Sequence, residues 1–358
     1  MKENDSIFYE KHEFDHLYKM KNVLLESGSE HLPAKFWKIT SEKHISQLKE
    51  KGYVNFKKTL ALNYFTWVIK TRRFWQDDQL KYLISRVPPL SILKNVFRAV
   101  KAIFTNKFRN LSFLKLVLYN FLVYMLWDYV SRLDNESVLE KIKEPIEGNP
   151  PKIYLKKKLI SQDLANSVLE YFSIMEKLNK NEINSILELG AGYGRTAYVF
   201  LKMIPNVKYI IADIPPALYV AERYLSNQFR DKKIFKFRDF KNFNEIKEEF
   251  DQADIAFFLP FQLALLPPNN SDLFINISSF HEMRHDQIEW YFKLIDSLIG
   301  KYVYIKQWKT TKLGYEDITI SEKDYPIREK WNKIYWRECR VKTRFFEALF
   351  NLNNKRIS

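Results

Sequence analysis

Apolar residues recur along this chain with two different rhythms. Between Phe36 and Arg132 they come at helical spacing, as in TLALNYFTWVIKTRRFWQDDQLKYLI, with glycine only at Gly52. Val87-Pro88-Pro89 ends one helix there, and Ser91 is placed to cap the next. The run Leu116 to Trp127, LVLYNFLVYMLW, is apolar except for Asn120 and predicts a buried helix. Its 12 residues would span about 18 Å against a hydrocarbon core of about 30 Å. A peripheral contact of this aromatic, basic region with a membrane surface stays open. Residues 1–35 are polar with little period and predict a short helix and a loose arm.

The second rhythm starts at Ile183. Short apolar runs, Ile186–Leu189, Tyr209–Ala212, Asp254–Leu259, Asp272–Ser278 and Tyr302–Gln307, alternate with amphipathic helical stretches. Continuous apolar runs of this length suit strands covered by helices on both faces. KKIFKFRDFKNF is ambiguous. Asp286 to Ile299 predicts a helix closed by Gly300, and the alternation from Trp331 to Asn351 predicts an antiparallel hairpin. The expected class is α/β, a Rossmann-like, seven-stranded, mostly parallel sheet with an antiparallel C-terminal hairpin, preceded by an α-helical N-terminal domain. EPIEGNPPKI, from Glu144 to Ile153, has the Pro and Gly density of a linker. The expected division is a helical domain over 1–143, a linker over 144–160 and an α/β domain over 161–358, with Ser161 capping its first helix.

Composition narrows this further. Hydrophobic residues make up 46% of the 358, far from a disordered composition. A net charge of +15 favours anionic partners. The single cysteine, Cys339, leaves no internal disulfide framework and fits a reducing compartment. With an opening MKENDSIFYEKHEFDH that lacks an apolar core, the expectation is a cytoplasmic protein, with room for a peripheral position at the inner face of the membrane.

Three of the chain's 8 glycines fall at Gly190, Gly192 and Gly194, directly after the first strand. Backbone without a Cβ can turn tightly there and approach a ligand. Asp213 lies 19 residues beyond Gly194, at the end of the next strand, where a carboxylate can meet a ribose diol. A dinucleotide fingerprint would need glycine at 195, and this chain has Arg195. The pattern from Glu188 to Gly194, E-x-G-x-G-x-G, resembles the first motif of class I S-adenosylmethionine-dependent methyltransferases. That resemblance implies S-adenosyl-L-methionine as cofactor, Glu188 near the methionine amino group and Asp213 on the ribose hydroxyls. It also implies Gly190, Ala191, Gly192, Tyr193 and Gly194 along the ligand, with Ile214 and Gln262 as further contacts.

ISQDLANSVLEYFSI, LELGAGYGRTAYVFL, ADIPPALYVAERYLS, LFINISSFHEM and YIKQW together resemble a sugar O-methyltransferase family of bacterial surface-polysaccharide gene clusters. The likeness runs from about Phe36 to the C-terminus. It implies methyl transfer to a sugar hydroxyl on a free, nucleotide-linked, lipid-linked or polymeric acceptor.

An alcohol is a weak nucleophile, so a base must take its proton as the new bond forms. Residues just past the strands at 272–278 and 302–307 would face the transferred methyl. His281 is the first candidate base, with Glu282 orienting it; Glu282 as base with His281 in support is the variant. Gln162, Asp163, Ser279, Gln307 and Trp308 are candidate acceptor contacts, alongside Asn166 and the aromatic rings of Tyr193 and Tyr315. Capping and packing roles remain open for His281, Gln162 and Asp163.

His281-Glu282-Met283-Arg284-His285 also spells H-E-x-x-H, but that motif binds zinc only on one helix face. Here a strand ends at Ser278 and Asp286 is placed to cap a later helix, so no metal site is assigned. Two rival functions remain: an RNA methyltransferase, prompted by the basic charge, and a non-catalytic scaffold binding a partner through its N-terminal helices. No stable nucleic-acid complex is expected.

Overall fold

A computed structural model describes residues 13–59, 77–104, 112–314 and 317–352. Most of the TLALNYFTW stretch, and Tyr315, lie outside the described residues.

The N-terminal part is helical: α1 (Asp15–Glu26), α2 (Lys35–Lys51), α3 (Phe56–Thr59), α4 (Asp78–Arg86), α5 (Pro89–Lys101), α6 (Phe113–Leu133) and α7 (Val138–Lys141). Asp77 caps α4 by accepting from the Gln79 and Leu80 amides. Ser91 is not a cap. It falls inside the first turn of α5, which opens on Pro89, whose fixed φ already suits that position.

Helix α6 is longer than its apolar centre. It runs for 21 residues, because Phe113 to Lys115 and Asp128 to Leu133 extend the helix at both ends of that apolar run. Its length and composition would suffice to cross a membrane, yet 67% of its apolar window is buried. It packs against α5 and against α8 (Gln162–Met175). Trp127 donates its indole N–H to the Ser161 carbonyl at 2.7 Å, and Ser161 Oγ accepts from the Leu164 amide to cap α8.

The stretch 144–160 is packed. It holds a hairpin of β1 (Ile153–Leu155) and β2 (Lys158–Ile160), turned at Lys156 and Lys157 in the left-handed region. Glu144 is buried, paired with Lys57 and accepting from Ser161 Oγ at 2.5 Å, so it ties the helical part to the cap of α8.

The central sheet has eight strands in the order β11-β12-β8-β7-β3-β4-β6-β5. These are β3 (Ser185–Leu189), β4 (Lys208–Ala212), β5 (Ile234–Phe235), β6 (Ile255–Phe258), β7 (Ser271–Ile277), β8 (Ile299–Trp308), β11 (Asn332–Glu338) and β12 (Phe345–Asn351). Neighbouring strands run parallel from β5 to β8, while β12 is antiparallel to both β8 and β11. A separate hairpin joins β9 (Thr310–Leu313) to β10 (Ile318–Ser321). The eighth strand is β5, a two-residue edge inside the ambiguous KKIFKFRDFKNF. Gly300 does not close a helix; it lies within β8.

Helices α8, α9 (Arg195–Met203), α10 (Ala217–Gln228), α11 (Lys247–Gln252) and α12 (His285–Leu298) connect or precede the strands. One apolar cluster joins the N-terminal helices to α8, α9 and α10 on one face of the sheet, and a second fills the other face under α12. The strand order reverses between β3 and β7. In open α/β sheets the crevice beyond the carboxyl ends at such a reversal is where ligands bind.

Candidate functional site

Two loops meet at that reversal. The first leaves β3 at Leu189 through Gly190, Gly192 and Gly194, all with positive φ. At Gly190 the need is steric as well: φ is 76° and an added Cβ would fall 2.5 Å from Ser279 Cβ on the second loop. Gly194 packs similarly, with Leu225 Cδ1 2.7 Å from where a Cβ would stand. The second loop leaves β7 through Ser278, itself at φ 58°, and a turn over Phe280–Glu282. Asn276, at the end of β7, ties the loops together by donating to the Leu189 carbonyl at 2.9 Å and Ser279 Oγ at 3.2 Å.

Between the loops lies a cleft of about 200 Å³. Glu188, Gly190, Ala191, Gly192, Tyr193, Asp213, Ile214, Ser279 and Glu282 line it, as does Asp163 from the first turn of α8. Its roof comes from the N-terminal part, through His31, Pro33, Ala34 and Trp37. Trp37 Nε1 donates to Glu282 Oε2 at 3.0 Å. The Leu32 carbonyl accepts from Gln287 Nε2 at 2.8 Å, which holds the roof onto α12.

Four carboxyl groups surround this one space, and burial raises each. Glu188 is pushed up to about 7, although Tyr209 Oη donates to it at 2.7 Å. Burial takes Asp213 to about 7, against the Gly192 and Ile214 amides, which each donate to it at 2.7 Å. Asp163 is raised to about 8 by burial despite Arg195. Glu282 is raised to about 8, also by burial, with the Trp37 N–H pulling the other way and the Asp213 charge adding to the rise. The cations nearby are committed or weakened. Arg195 makes two bonds to buried Glu170, at 2.6 and 3.0 Å, and Lys306 bonds the same carboxyl at 3.1 Å. Burial opposes the Glu170 charge, but these partners overcome it and hold the group at about 2. Lys342, also in the cleft, is lowered to about 8 by burial and by its cationic neighbours. The cleft therefore favours a cationic ligand, whose charge would let the four carboxyls ionise.

Asn166, on the same helix as Asp163, also lines the cleft. The other sequence candidates lie elsewhere. His281 does not line the cleft. It is buried, packed edge-on to Trp308 and Phe345, and its Nδ1 is 2.9 Å from Gln307 Oε1. Gln307 donates through Nε2 to Asn276 Oδ1 at 2.6 Å, so its oxygen faces His281 and the imidazole carries its proton on Nδ1. Burial lowers His281 to about 4, leaving it neutral at physiological pH, with Nε2 3.8 Å from Glu282 Oε1. Gln307 and Trp308 thus support the second loop from behind. Gln262 is buried in the turn after β6, accepting from the Leu259 amide and donating to the Arg238 carbonyl. Gln162 and Gly194 do not line the cleft either.

His281 sits in a 3₁₀ turn while His285 opens α12 behind Arg284, so the two imidazoles do not share a helix face. Asp286 lies in the first turn of that helix and is not its cap. Among the described residues no group of three His, Cys, Asp or Glu side chains is placed to hold a metal ion.

No protein-family model matches this chain, and no curated protein matches it. Many solved structures do, at low similarity. One is a SAM-dependent methyltransferase from Aquifex aeolicus, 18% identical, covering 63% of this chain and 97% of its own, with a TM-score of 0.34. Another is the magnesium protoporphyrin IX methyltransferase of Synechocystis PCC 6803 with bound SAH, at 11% identity, covering 52% and 81%, with a TM-score of 0.36. A third, the PH0226 protein of Pyrococcus horikoshii OT3, is 12% identical over 51% and 85%, with a TM-score of 0.35. The strand order is what assigns the architecture. Apart from the short β5, the sheet reads 3-2-1-4-5-7-6 with an antiparallel seventh strand. This is the Rossmann-like class I methyltransferase fold.

Sequence reasoning missed Trp37, His31 and Lys342. Each reaches the cleft from a segment far along the chain, and none carries a local signal.

Proposed function

We propose that this protein is an S-adenosylmethionine-dependent O-methyltransferase acting on a sugar hydroxyl of a glycan or glycan precursor. The observation that carries the reading is the cleft itself: a glycine loop between Glu188 and Asp213, faced across the gap by the half-buried Glu282 carboxyl. The residues fit such a cofactor. Gly190 has no room for a Cβ, each Asp213 oxygen retains a lone pair for a diol hydroxyl, and the raised carboxyls suit a ligand bearing ammonium and sulfonium charge. Bound there, S-adenosylmethionine supplies a methyl carbon activated by its sulfonium.

The chain's own residues supply the rest. Glu282 takes the proton of the acceptor hydroxyl as the new bond forms, and its raised pKa near 8 makes it a stronger base than an ordinary carboxylate. Trp37 holds that carboxylate in place and stabilises its ionised form. His281, Gln307 and Asn276 fix the loop that carries it. The roof from His31 to Trp37 limits water access to the cleft, which strengthens each charge interaction within it. The sugar as acceptor rests on the resemblance carried together by the ISQDLANSVLEYFSI, LELGAGYGRTAYVFL, ADIPPALYVAERYLS, LFINISSFHEM and YIKQW segments.

Labelled methyl from S-adenosylmethionine can be followed into sugar nucleotides, extracted surface glycan and total RNA. Label in a glycan fraction, lost with Glu282→Gln, supports the reading. Label in RNA alone, or none in any fraction, contradicts it.

A further inference from the structure

Helix α5 carries an apolar stripe that faces away from the protein. Leu90, Leu93, Phe97 and Val100, with Phe104 in the 3₁₀ turn that continues the helix, follow each other at spacings of three and four residues, and Phe97 and Phe104 are 75% and 82% exposed. The opposite side of the helix is buried at Asn95 and Ala99. Contacts with α6 show an antiparallel pair: Arg132 to Ser91 Oγ at 3.0 Å, Asn95 to Met125 Sδ at 3.6 Å, and Asn120 to the Ala99 carbonyl at 3.2 Å. Continued in that register, the start of α6 comes beside Phe104. There Phe113 and Leu114 are also exposed, at 68% and 58%. The stripe thus extends over the end of the helical hairpin. An exposed apolar surface of this continuity marks an interaction site.

The charge around it points to the partner. From Gln79 to Trp127 the sequence holds eight Lys or Arg and no Asp or Glu. Lys94, Lys101 and Lys115 are exposed beside the stripe. A second copy of this chain docked face to face would bring those cations together, and a neutral partner would leave them unpaired. Leu and Phe on one side with Lys and Arg along the border is the pattern of a helix lying in a membrane interface.

We propose that this face, α5 with the start of α6, docks on an anionic lipid bilayer, α5 lying in the plane of the headgroups. The apolar stripe enters the acyl boundary, and the lysines meet the lipid phosphates. Trp127, further along α6, bonds the cap of α8, whose first turn carries Asp163 into the cleft. Docking would therefore hold the cleft close to the surface. The inference does not depend on the chemistry proposed for that cleft.

Co-sedimentation of the full chain with vesicles tests it. Phosphatidylcholine vesicles containing about 30% phosphatidylglycerol should bind the protein at least about tenfold better than pure phosphatidylcholine, and about 1 M salt should weaken the binding. Phe97→Glu with Phe104→Glu should abolish binding. Lys94→Gln with Lys101→Gln, which spares the apolar stripe, should weaken it on anionic vesicles only, with melting temperature unchanged. Equal binding to both vesicle types, unaltered binding by both variants, or no vesicle binding at all would overturn the proposal. Self-association that the Phe97→Glu pair dissolves, without lipid binding, would reassign the face to a second copy.

Discussion

Trp37 donates its indole N–H to Glu282 across 245 positions of sequence, at 3.0 Å. The bond joins the helical part to the loop after β7 and favours the ionised form of the residue we assign as base, against the effect of burial. A hydrogen bond to a charged group contributes about 1.5–3 kcal/mol. Trp37→Phe keeps a ring in the roof and removes only the donor. The acid limb of the pH–rate profile should move up by about one to two pH units, with the rate on the alkaline plateau nearly preserved. An unmoved limb with a uniformly lower rate would mean Trp37 only packs.

Gly190 sits where neither its backbone angle nor its surroundings admit a side chain. Gly190→Ala would place a Cβ against Ser279 at φ 76°. It should cost about 1–3 kcal/mol in urea unfolding. It should also weaken ligand binding more than Ser279→Ala, which removes only the Oγ that Asn276 holds.

The buried Glu170 is a structural charge. Its carboxyl holds both Arg195 and Lys306, and Glu170→Gln would leave two cations short of their partner. A loss of about 3–5 kcal/mol in stability is expected, with no change in the pH dependence of turnover. Because Glu170 is held at about 2, its contribution is present above the ordinary carboxylate pKa and fades as pH falls toward 2.

Much of the cleft could be read from sequence because its parts are local. Glu188, the glycines and Asp213 belong to one strand–helix–strand unit, where spacing alone determines which groups meet at the strand ends. The second loop was harder. Ser278 turns left-handed at φ 58° and a 3₁₀ turn follows, so side-chain direction there obeys neither the strand nor the helix period. That is why His281 points inward to Gln307 while its neighbour Glu282 reaches the cleft. Trp37 and Lys342 arrive by long-range packing that no local pattern encodes. The strand β5 is only two residues long, and it pairs with β6 without an apolar run of its own.

The four raised carboxyls predict a linkage between protons and ligand. Glu188 and Asp213 near 7, and Asp163 and Glu282 near 8, take up protons on folding between about pH 4 and 8. The free protein should therefore lose stability as pH rises from about 4, levelling off above about 8. A cationic ligand reverses the preference, so its binding should release protons and tighten as pH rises from about 6 to 8. Calorimetry in buffers of different ionisation enthalpy measures that release. Proton uptake on binding would contradict the arrangement.

Titration of the protein with S-adenosylmethionine by calorimetry is the most direct test of the central claim. One molecule should bind per chain; Asp213→Ala should weaken binding by at least about tenfold through loss of charge-assisted bonds, while Glu282→Gln should bind the cofactor nearly as the parent does. The contradicting result is no measurable binding to the unaltered protein at millimolar cofactor.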